Sequence, residues 1–302
     1  MSSQTPPAAD AGTPGPLADG DPELPIAVAV ALATPAPGRE RTVSVDGVAW
    51  RALEWGDPSD PPLLLVHGVT SNAETFWRIG PAVAAAGRHV LAVDLPGHGR
   101  TGAWRGRHRF AETAADVAGF IRAAGIERAG LAVLGHSWGG MVVAALPAAG
   151  LRPGRLILLD PPALPLAALE AMTRDPLERP YDSLESAIDV VRAANPGWSD
   201  GDVRAKALGL TQFDPTAVLA ILLENGDWDG GLGALADPAA RGIAVWLIRG
   251  EPEQGGMIPD SALPACIARI GRGRVVTIDG APHSPQRTHP AATVAAVLQA
   301  LA

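Results

Sequence analysis

Short apolar runs alternate with longer amphipathic stretches from residue 41 to the end of the chain. Six compact apolar runs are typical of parallel strands buried between helices, because such strands need no polar face. They occupy residues 63–66, 90–93, 131–134, 156–159, 243–248 and 275–278. Four intervening stretches have the composition and apolar spacing of helices. They occupy residues 74–86, 111–124, 141–149 and 291–302.

The pattern begins differently, because residues 41–46 and 48–55 are short segments in which apolar and polar positions alternate. They are broken at Asp46-Gly47, a pair that favours the tight turn of a β-hairpin. A hairpin followed by alternating strands and helices predicts an α/β fold. We expect a mostly parallel, eight-stranded sheet flanked by helices.

The alternation of strands and helices lapses between residues 161 and 241. Prolines there separate helix-like segments, which occupy residues 166–172, 184–194 and 215–224. Strands of the same predicted sheet precede and follow this stretch, so we interpret residues 161–241 as an inserted helical cap. The predicted core then consists of residues 39–160 and 242–302.

The first 38 residues are rich in Pro, Ala, Gly and Asp and show no sustained periodicity. Such a segment buries too little apolar surface to offset its ordering entropy, so residues 1–38 are expected to form a flexible arm. Within it, Ile26–Ala33 is apolar and is interpreted as a strand or a local packing segment. It is too short to span a membrane, and no basic segment precedes it as in an export signal. We expect a cytoplasmic protein with no membrane partner.

Charge and cysteine content exclude several classes of protein. The 302 residues are 47% hydrophobic, and 24 basic residues against 32 acidic ones give a net charge of −8. This balance disfavours binding to nucleic acid or to an anionic membrane, which requires a clustered basic face. The single cysteine, Cys266, excludes an internal disulfide and a cysteine-based metal site. A globular enzyme or a protein that binds a small molecule remains, and the oligomeric state stays open.

The sequence GHSWG at residues 135–139 follows a predicted strand and precedes a predicted helix. G-x-S-x-G in this setting forms a sharp turn that exposes the serine at the top of the sheet. Ser137 would also lie at a helix N-terminus, where backbone N–H groups favour negative charge. The alternative is a chance match in a glycine-rich chain. The strand and helix around it favour Ser137 as a nucleophile.

A serine nucleophile requires a positioned base, and His283 is the candidate among seven histidines. It lies five residues after the last predicted strand and just before the final helix. Serine followed by histidine is the chain order that this type of fold uses. The alternative, a surface or hydrogen-bonded residue, is preferred for His89, His108 and His289.

Two further motifs make the sequence resemble the α/β-hydrolase superfamily over residues 41–302. His67-Gly68-Val69 resembles the family's oxyanion loop, and residues 94–101 (DLPGHGRT) resemble its D-x-P-G-x-G-x-S/T turn. The resemblance implies that the backbone N–H groups of Val69 and Trp138 stabilise an oxyanion. It also disfavours the epoxide hydrolases and haloalkane dehalogenases of this fold, which have aspartate in place of the serine. No metal and no organic cofactor are expected, because no phosphate-binding loop motif is present.

The acid that would orient His283 is ambiguous. The family usually places it after the penultimate strand as G-x-x-D, where this chain has Glu253, and Glu251 lies closer to the strand end. Some relatives carry the acid one strand earlier, where this chain has Asp160. Asp160 ends a core strand, where catalytic groups of α/β sheets gather, but it is equally a hinge residue before two prolines. We favour Asp160 narrowly over Glu251, with Glu253 third.

The expected substrate pocket is lined by residues near these motifs and by cap tryptophans. They are His67, Val69, Thr70, Trp77, Trp138, Trp198 and Trp228. Each tryptophan taken singly is better explained by core packing. The predicted function is a serine hydrolase, most simply a carboxylesterase or lactonase, that forms an acyl-enzyme with a small or medium hydrophobic substrate. Alternatives are C–C bond hydrolysis, perhydrolysis, aminopeptidase action with the same triad, or a non-catalytic ligand-binding protein.

Overall fold

The computed structural model of the chain describes residues 22–102, 106 and 108–302. Its main feature is an eight-stranded sheet in the order β1-β2-β4-β3-β5-β6-β9-β10, with β7 and β8 forming a separate two-stranded ribbon. The strands are β1 Arg39–Val45, β2 Val48–Trp55, β3 Pro62–Val66, β4 His89–Val93, β5 Ala132–His136, β6 Arg155–Leu159, β7 Ala163–Leu164, β8 Trp228–Asp229, β9 Ala244–Arg249 and β10 Val275–Thr277. β2 pairs antiparallel with β1 and β4, and the other neighbours in the main sheet are parallel. The predicted fold class is confirmed.

Helices cover both faces of the sheet. They are α1 Ile26–Ala33, α2 Ile79–Ala84, α3 Phe110–Ala123, α4 Trp138–Ala145, α5 Leu166–Met172, α6 Leu184–Ala194, α7 Asp200–Thr211, α8 Pro215–Leu223, α9 Leu232–Leu235, α10 Leu263–Ile270, α11 Pro285–Thr288 and α12 Pro290–Leu301. Short 3-10 helices lie at Ala73–Phe76, Pro238–Ala240, Pro252–Gln254 and Arg272–Arg274. The predicted helix at 74–86 is thus divided into a 3-10 turn and α2.

Side chains of the central strands alternate between two apolar layers. On β3, Leu64 and Val66 face the layer that contains α3 and α4, whereas Leu63 and Leu65 face the layer that contains α2 and α12. All four side chains are fully buried. This burial on both faces explains why the strands appear in the sequence as continuous apolar runs.

The N-terminal segment departs from the prediction. Ile26–Ala33 is helix α1, not a strand, and residues 22–38 have an ordered course. Half of the residues of α1 are alanine, the strongest helix former, which explains the helix. Val28 is buried in the core, and the indole N–H of Trp55 donates to the carbonyl of Ala36 at 3.0 Å. The expected flexible arm is therefore wrong for these residues, and residues 1–21 lie outside the described part.

Residues 161–241 contribute no strand to the main sheet. They hold α5 to α8, the β7–β8 ribbon and α9, and α6 packs on α7 around a small apolar cluster that includes Val191, Val203 and Leu210. Helix α7 was not predicted. Val203 and Leu210 are its only large apolar buried side chains, and the other buried positions are small or polar, so the apolar stripe in the sequence is weak.

Candidate active site

Ser137 lies in the tight turn between β5 and α4, with φ 55° and ψ −126°. This left-handed conformation is costly for a residue with a side chain, and it is a feature of strained functional turns. Both flanking glycines are required by close backbone contacts. A Cβ on Gly135 would lie 2.1 Å from the carbonyl oxygen of Gly139, and one on Gly139 would lie 2.4 Å from that of Val66. The turn therefore needs the glycines of the GHSWG motif.

His283 lies in the loop between β10 and α11, with its ring next to Ser137. Nε2 of His283 is 2.9 Å from Oγ of Ser137, a hydrogen-bond distance. The loop is held in place by His136, whose Nε2–H donates to the carbonyl of His283 at 2.9 Å. The pKa of the buried His136 lies well below its ordinary value because of burial and of repulsion from His283. His136 therefore remains neutral beside the nucleophile.

Asp160 completes a chain of hydrogen bonds. Its Oδ2 lies 2.8 Å from Nδ1 of His283, on the opposite side of the ring from Ser137. The carboxylate is fully buried and also accepts the backbone N–H groups of Gly250 at 3.1 Å and Met257 at 2.9 Å. These bonds compensate for its desolvation. Asp160 has φ 44°, and Asp160 and Ser137 are two of the three non-glycine residues with positive φ in the described chain.

The loop after β9 supports Asp160 but supplies no carboxylate to His283. Glu251 is turned away, and its Oε2 accepts the backbone N–H of Gly280 at 2.7 Å. Glu253 is exposed. Of the three acids considered from the sequence, Asp160 is thus the one that hydrogen-bonds the imidazole. Both glutamates lie in the loop after β9, where the Glu251 side chain is directed toward Gly280.

The loop at residues 67–69 lies directly against Ser137. A Cβ on Gly68 would be 3.4 Å from Oγ of Ser137. His67 holds this loop, since its Nδ1 lies 2.8 Å from the carbonyl of Gly68 and its Nε2 accepts the N–H of Leu95 at 3.0 Å. Accepting at Nε2 requires the proton on Nδ1, and burial lowers the pKa of His67 to about 4.

The carbonyl of Val69 accepts Nε2–H of His98 at 2.5 Å, which fixes the peptide at the end of the loop at residues 67–69. Burial lowers the pKa of His98 to about 3, so this ring is also neutral. Trp138 is the first residue of α4, and its N–H lies in the first turn of the helix, where backbone donors have no acceptor within the helix. The N–H groups of Val69 and Trp138 thus belong to two elements that meet at Ser137.

A cavity of about 560 Å³ adjoins Ser137 and His283. Cap residues form most of its apolar wall, among them Leu169, Val191, Trp198, Val218 and Trp228. One part of the wall is polar and contains Thr70, Glu178, Lys206 and Arg287. Nζ of Lys206 lies 2.5 Å from Oε2 of Glu178 and 2.9 Å from Oγ1 of Thr70. The cavity thus combines an apolar wall with a charged patch that includes the buried Arg287.

Residues 63–297 match the sequence model of the alpha/beta hydrolase family, which is more than half of the chain. The chain belongs to the alpha/beta hydrolase family. Epoxide hydrolase A of Mycobacterium tuberculosis is 29% identical over 70% of this chain and 66% of the relative. Esterase Rv0045c of the same organism is 33% identical over 64% of this chain and 62% of the relative. The chain thus spans under two thirds of the length of these curated relatives, both of which are named as hydrolases.

Structural comparison shows the same fold. The crystal structure of E-2-(acetamidomethylene)succinate hydrolase has a TM-score of 0.73 at 20% identity, over 87% of this chain and 99% of that chain. Among the described residues of this hydrolase, no helix is long and apolar enough to cross a membrane. In the same residues, no cluster of three or more histidine, cysteine and acidic side chains has the arrangement of a metal site.

Three residues that were expected in the pocket of the hydrolase lie elsewhere. His67 is fully buried, and the Trp138 indole packs in the core beside the rings of His67 and His98. Trp77 lines a separate groove, where its indole N–H donates to Asp202 at 3.0 Å. Val69, Thr70, Trp198 and Trp228 do line the cavity.

Glu178, Lys206 and Arg287 were not predicted as site residues. The sequence contains one signal for Lys206, because it is the only lysine in a chain whose other basic residues are all arginines. Arg287 follows His283 by four residues and lies in the short helix α11, directly after the His283 loop. Glu178 has no signal in the sequence, because its role depends on a contact with α7.

Proposed function

We propose that this hydrolase cleaves a carboxylic ester or a lactone through a covalent acyl-enzyme intermediate on Ser137. The observation that carries this proposal is the continuous hydrogen-bonded chain from Oγ of Ser137 through His283 to the buried Asp160. A base in contact with a serine, held in turn by a carboxylate, is the arrangement that activates a hydroxyl. The chain ends at a cavity large enough for a small or medium acyl group.

In this mechanism, Nε2 of His283 takes the proton of Ser137 as its oxygen attacks the ester carbonyl. The tetrahedral intermediate carries a negative charge on the former carbonyl oxygen. His283 then returns the proton to the alcohol that leaves. Water repeats the sequence on the acyl-enzyme, which releases the acid and restores Ser137. Asp160 holds the Nδ1–H tautomer of His283 and stabilises the imidazolium.

The N–H groups of Val69 and Trp138 are the proposed donors to the oxyanion. Trp138 begins an eight-residue helix, whose N-terminus favours negative charge. The loss of one such donor typically costs about 10²- to 10³-fold in rate. The buried His67 and His98, which hydrogen-bond the carbonyls of Gly68 and Val69, serve as positioning residues for this loop.

Ester hydrolysis is favoured over epoxide hydrolysis, although the chain is similar to proteins of both names. Attack of a serine hydroxyl on an epoxide would form an ether, which has no carbonyl for water to attack. A carboxylate nucleophile instead forms an ester, which water can hydrolyse. Because this chain has Ser137 in the turn, the covalent intermediate of an epoxide reaction would not turn over.

Labelling with a fluorophosphonate, followed by peptide mass spectrometry, tests the nucleophile. We expect one equivalent on Ser137, and no label on Ser137→Ala. A panel of 4-nitrophenyl acetate, butyrate, hexanoate and octanoate, together with a lactone and an anilide, then defines the bond that is cleaved. Label on another residue, or ester hydrolysis that persists in Ser137→Ala, would contradict the proposal. Cleavage of the anilide alone would favour the aminopeptidase alternative.

A further inference from the structure

Arg287 is a buried cation with no ionic partner among the residues that the structure describes. Arg287 is 6% exposed, and no carboxylate of the described chain lies within 4.0 Å of its guanidinium. Nη2 donates to Oγ1 of Thr75 at 3.0 Å, and the guanidinium carbon lies 4.8 Å from the centre of the Trp198 ring. Nε has no hydrogen-bond partner among the described residues. An unpaired buried charge of this kind is costly to a fold.

The two carboxylates that attract Arg287 are already neutralised by other cations. Glu178 pairs with Lys206 at 2.5 Å, and Asp202 forms an ion pair with Arg78. Both carboxylates attract Arg287 only over a longer distance. Arg287 thus lies beside two complete ion pairs and is itself unpaired among the described residues. The five side chains together carry a net positive charge.

Arg287 stays charged under ordinary conditions. Burial lowers the pKa of its guanidinium to about 10, and attraction from Asp202 and Glu178 limits this decrease. At neutral pH the group is therefore protonated. Its field reaches the active site, because repulsion from Arg287 contributes to the low pKa of His136, the neighbour of Ser137.

Arg287 lines the same cavity as Ser137 and His283. Helix α11 begins directly after the His283 loop, so one short segment supplies both the base and the cation. A group bound at Ser137 therefore shares the cavity with an unpaired guanidinium. Carboxylates are the natural partners of arginine in a planar, two-pronged geometry.

We propose that Arg287 binds a carboxylate on the acyl part of the substrate, so that the substrate class is the monoester of a dicarboxylic acid. This inference rests on the proposed ester hydrolysis at Ser137. The acyl part is favoured over the alcohol because it stays bound through both half-reactions, whereas the alcohol leaves after the first. The carboxylate supplies the counter-charge that the described part of the chain does not give to Arg287.

Two esters of similar size test this selectivity: mono-4-nitrophenyl glutarate, which is anionic, and 4-nitrophenyl pentanoate, which is neutral. We expect the native enzyme to have the higher kcat/KM with the anionic ester. In Arg287→Met the ratio of the two kcat/KM values should fall by about 10- to 100-fold, the usual effect of losing a hydrogen bond to a charged group. A ratio that does not change would overturn the proposal and would leave Arg287 as a tether between Thr75 and Trp198.

Two further variants separate charge from packing. Arg287→Lys keeps the positive charge, and it should retain a larger part of the ratio than Arg287→Met. Arg179→Met is the matched control, because Arg179 also borders the cavity but is exposed and lies over Tyr181. Its ratio should change by less than about threefold, since exposed charges are screened by solvent. An equal effect of Arg179→Met and Arg287→Met would contradict a specific site.

A binding measurement tests the site independently of hydrolysis. Glutarate should raise the thermal unfolding temperature of the native protein, because a ligand that binds the folded state stabilises it. Glutaramide, which has no charge, should not, and neither ligand should stabilise Arg287→Met. If glutarate binds through Arg287 but neither ester is cleaved at Ser137, the proposed function fails while the carboxylate site stands. If the esters are cleaved but glutarate gives no stabilisation, the carboxylate site fails alone.

Discussion

Oδ2 of Asp160 and Nδ1 of His283 lie 2.8 Å apart although 123 positions separate the two residues. Asp160 follows β6 and His283 follows β10, with β9 between these strands in the sheet. The loop that follows β9 donates two backbone N–H groups to the Asp160 carboxylate. The acid and its supporting loop thus come from adjacent strands.

This arrangement predicts a large effect on kcat for one carboxylate variant and a small effect for another. Asp160→Asn should lower kcat for an activated ester by about 10⁴-fold, the precedent for the loss of the acid in a serine protease. The cause is the loss of the carboxylate that holds the His283 tautomer. Glu251→Gln is the matched control and should change kcat by less than about threefold, because its side chain bonds to Gly280 instead. A severe effect of Glu251→Gln together with a mild effect of Asp160→Asn would show that Glu251, and not Asp160, is the acid that holds His283.

The close contacts in the turn predict a difference between two glycines. Gly139→Ala should lower the free energy of unfolding by about 3 kcal/mol or more, because its Cβ would lie 2.4 Å from a backbone oxygen that cannot move freely. Gly197→Ala should have little effect, since nothing lies within 4 Å of its Cβ position. Urea unfolding followed by circular dichroism measures both. Equal stabilities would show that the turn can relax around the added methyl group.

His67 is predicted to act on catalysis without touching the substrate. His67→Leu leaves the N–H of Leu95 and the carbonyl of Gly68 without partners, at about 1–3 kcal/mol of unfolding free energy for each buried group. The oxyanion loop loses its anchor, so kcat should fall about 10-fold or more while KM changes little. Steady-state kinetics on protein that remains folded separates the two constants. A change in KM alone would instead indicate that His67 contacts the substrate.

The buried histidines predict a loss of stability in mild acid. The folded-state pKa values of His67 and His98 are about 4 and about 3, below the ordinary value of 6.5. The unfolded chain therefore binds protons first, and the stabilising contribution present above pH 6.5 decreases as the pH falls toward 4. For His67 alone the loss is about 3 kcal/mol.

Asp116 opposes this effect, because burial and the nearby acids Asp46 and Glu112 raise its pKa to about 6. Protonation of Asp116 stabilises the folded state as the pH falls through this value. The decrease in the urea midpoint between about pH 7 and pH 5 should therefore be larger in Asp116→Asn than in the native protein. A smaller decrease in Asp116→Asn would contradict the direction of the Asp116 shift.

The strands and the nucleophile turn were predictable from the sequence because their determinants are local. A run such as 63–66 can be buried only between helices, and the glycines of GHSWG serve a turn of five residues. The His67-Gly68-Val69 loop was also found by its motif. What the motif did not reveal is that the His67 side chain points into the core and bonds to Leu95.

The remaining features depend on contacts between distant segments. Residues 26–33 were expected to form a strand or a local packing segment, and they form helix α1, because an apolar run of eight residues does not distinguish a strand from a helix. The choice between Asp160 and Glu251 depended on the path of the loop after β9, which no local pattern specifies. Arg287 became informative only once the ion pairs of Glu178 and Asp202 were known, since an arginine in a sequence does not show whether it has a partner.

The left-handed backbone at Ser137 and Asp160 has a consequence for directed evolution of this protein. Each residue stores conformational strain of about 1 kcal/mol or more that the surrounding sheet must offset. At Asp160 the carboxylate offsets this strain by accepting the backbone N–H groups of Gly250 and Met257. At Ser137 a screen that rewards heat resistance alone would enrich glycine, since glycine adopts this conformation without strain. The same screen would remove the hydroxyl. Selection for thermal stability and selection for turnover therefore act in opposite directions at Ser137, so a thermostable library needs a simultaneous requirement for product formation.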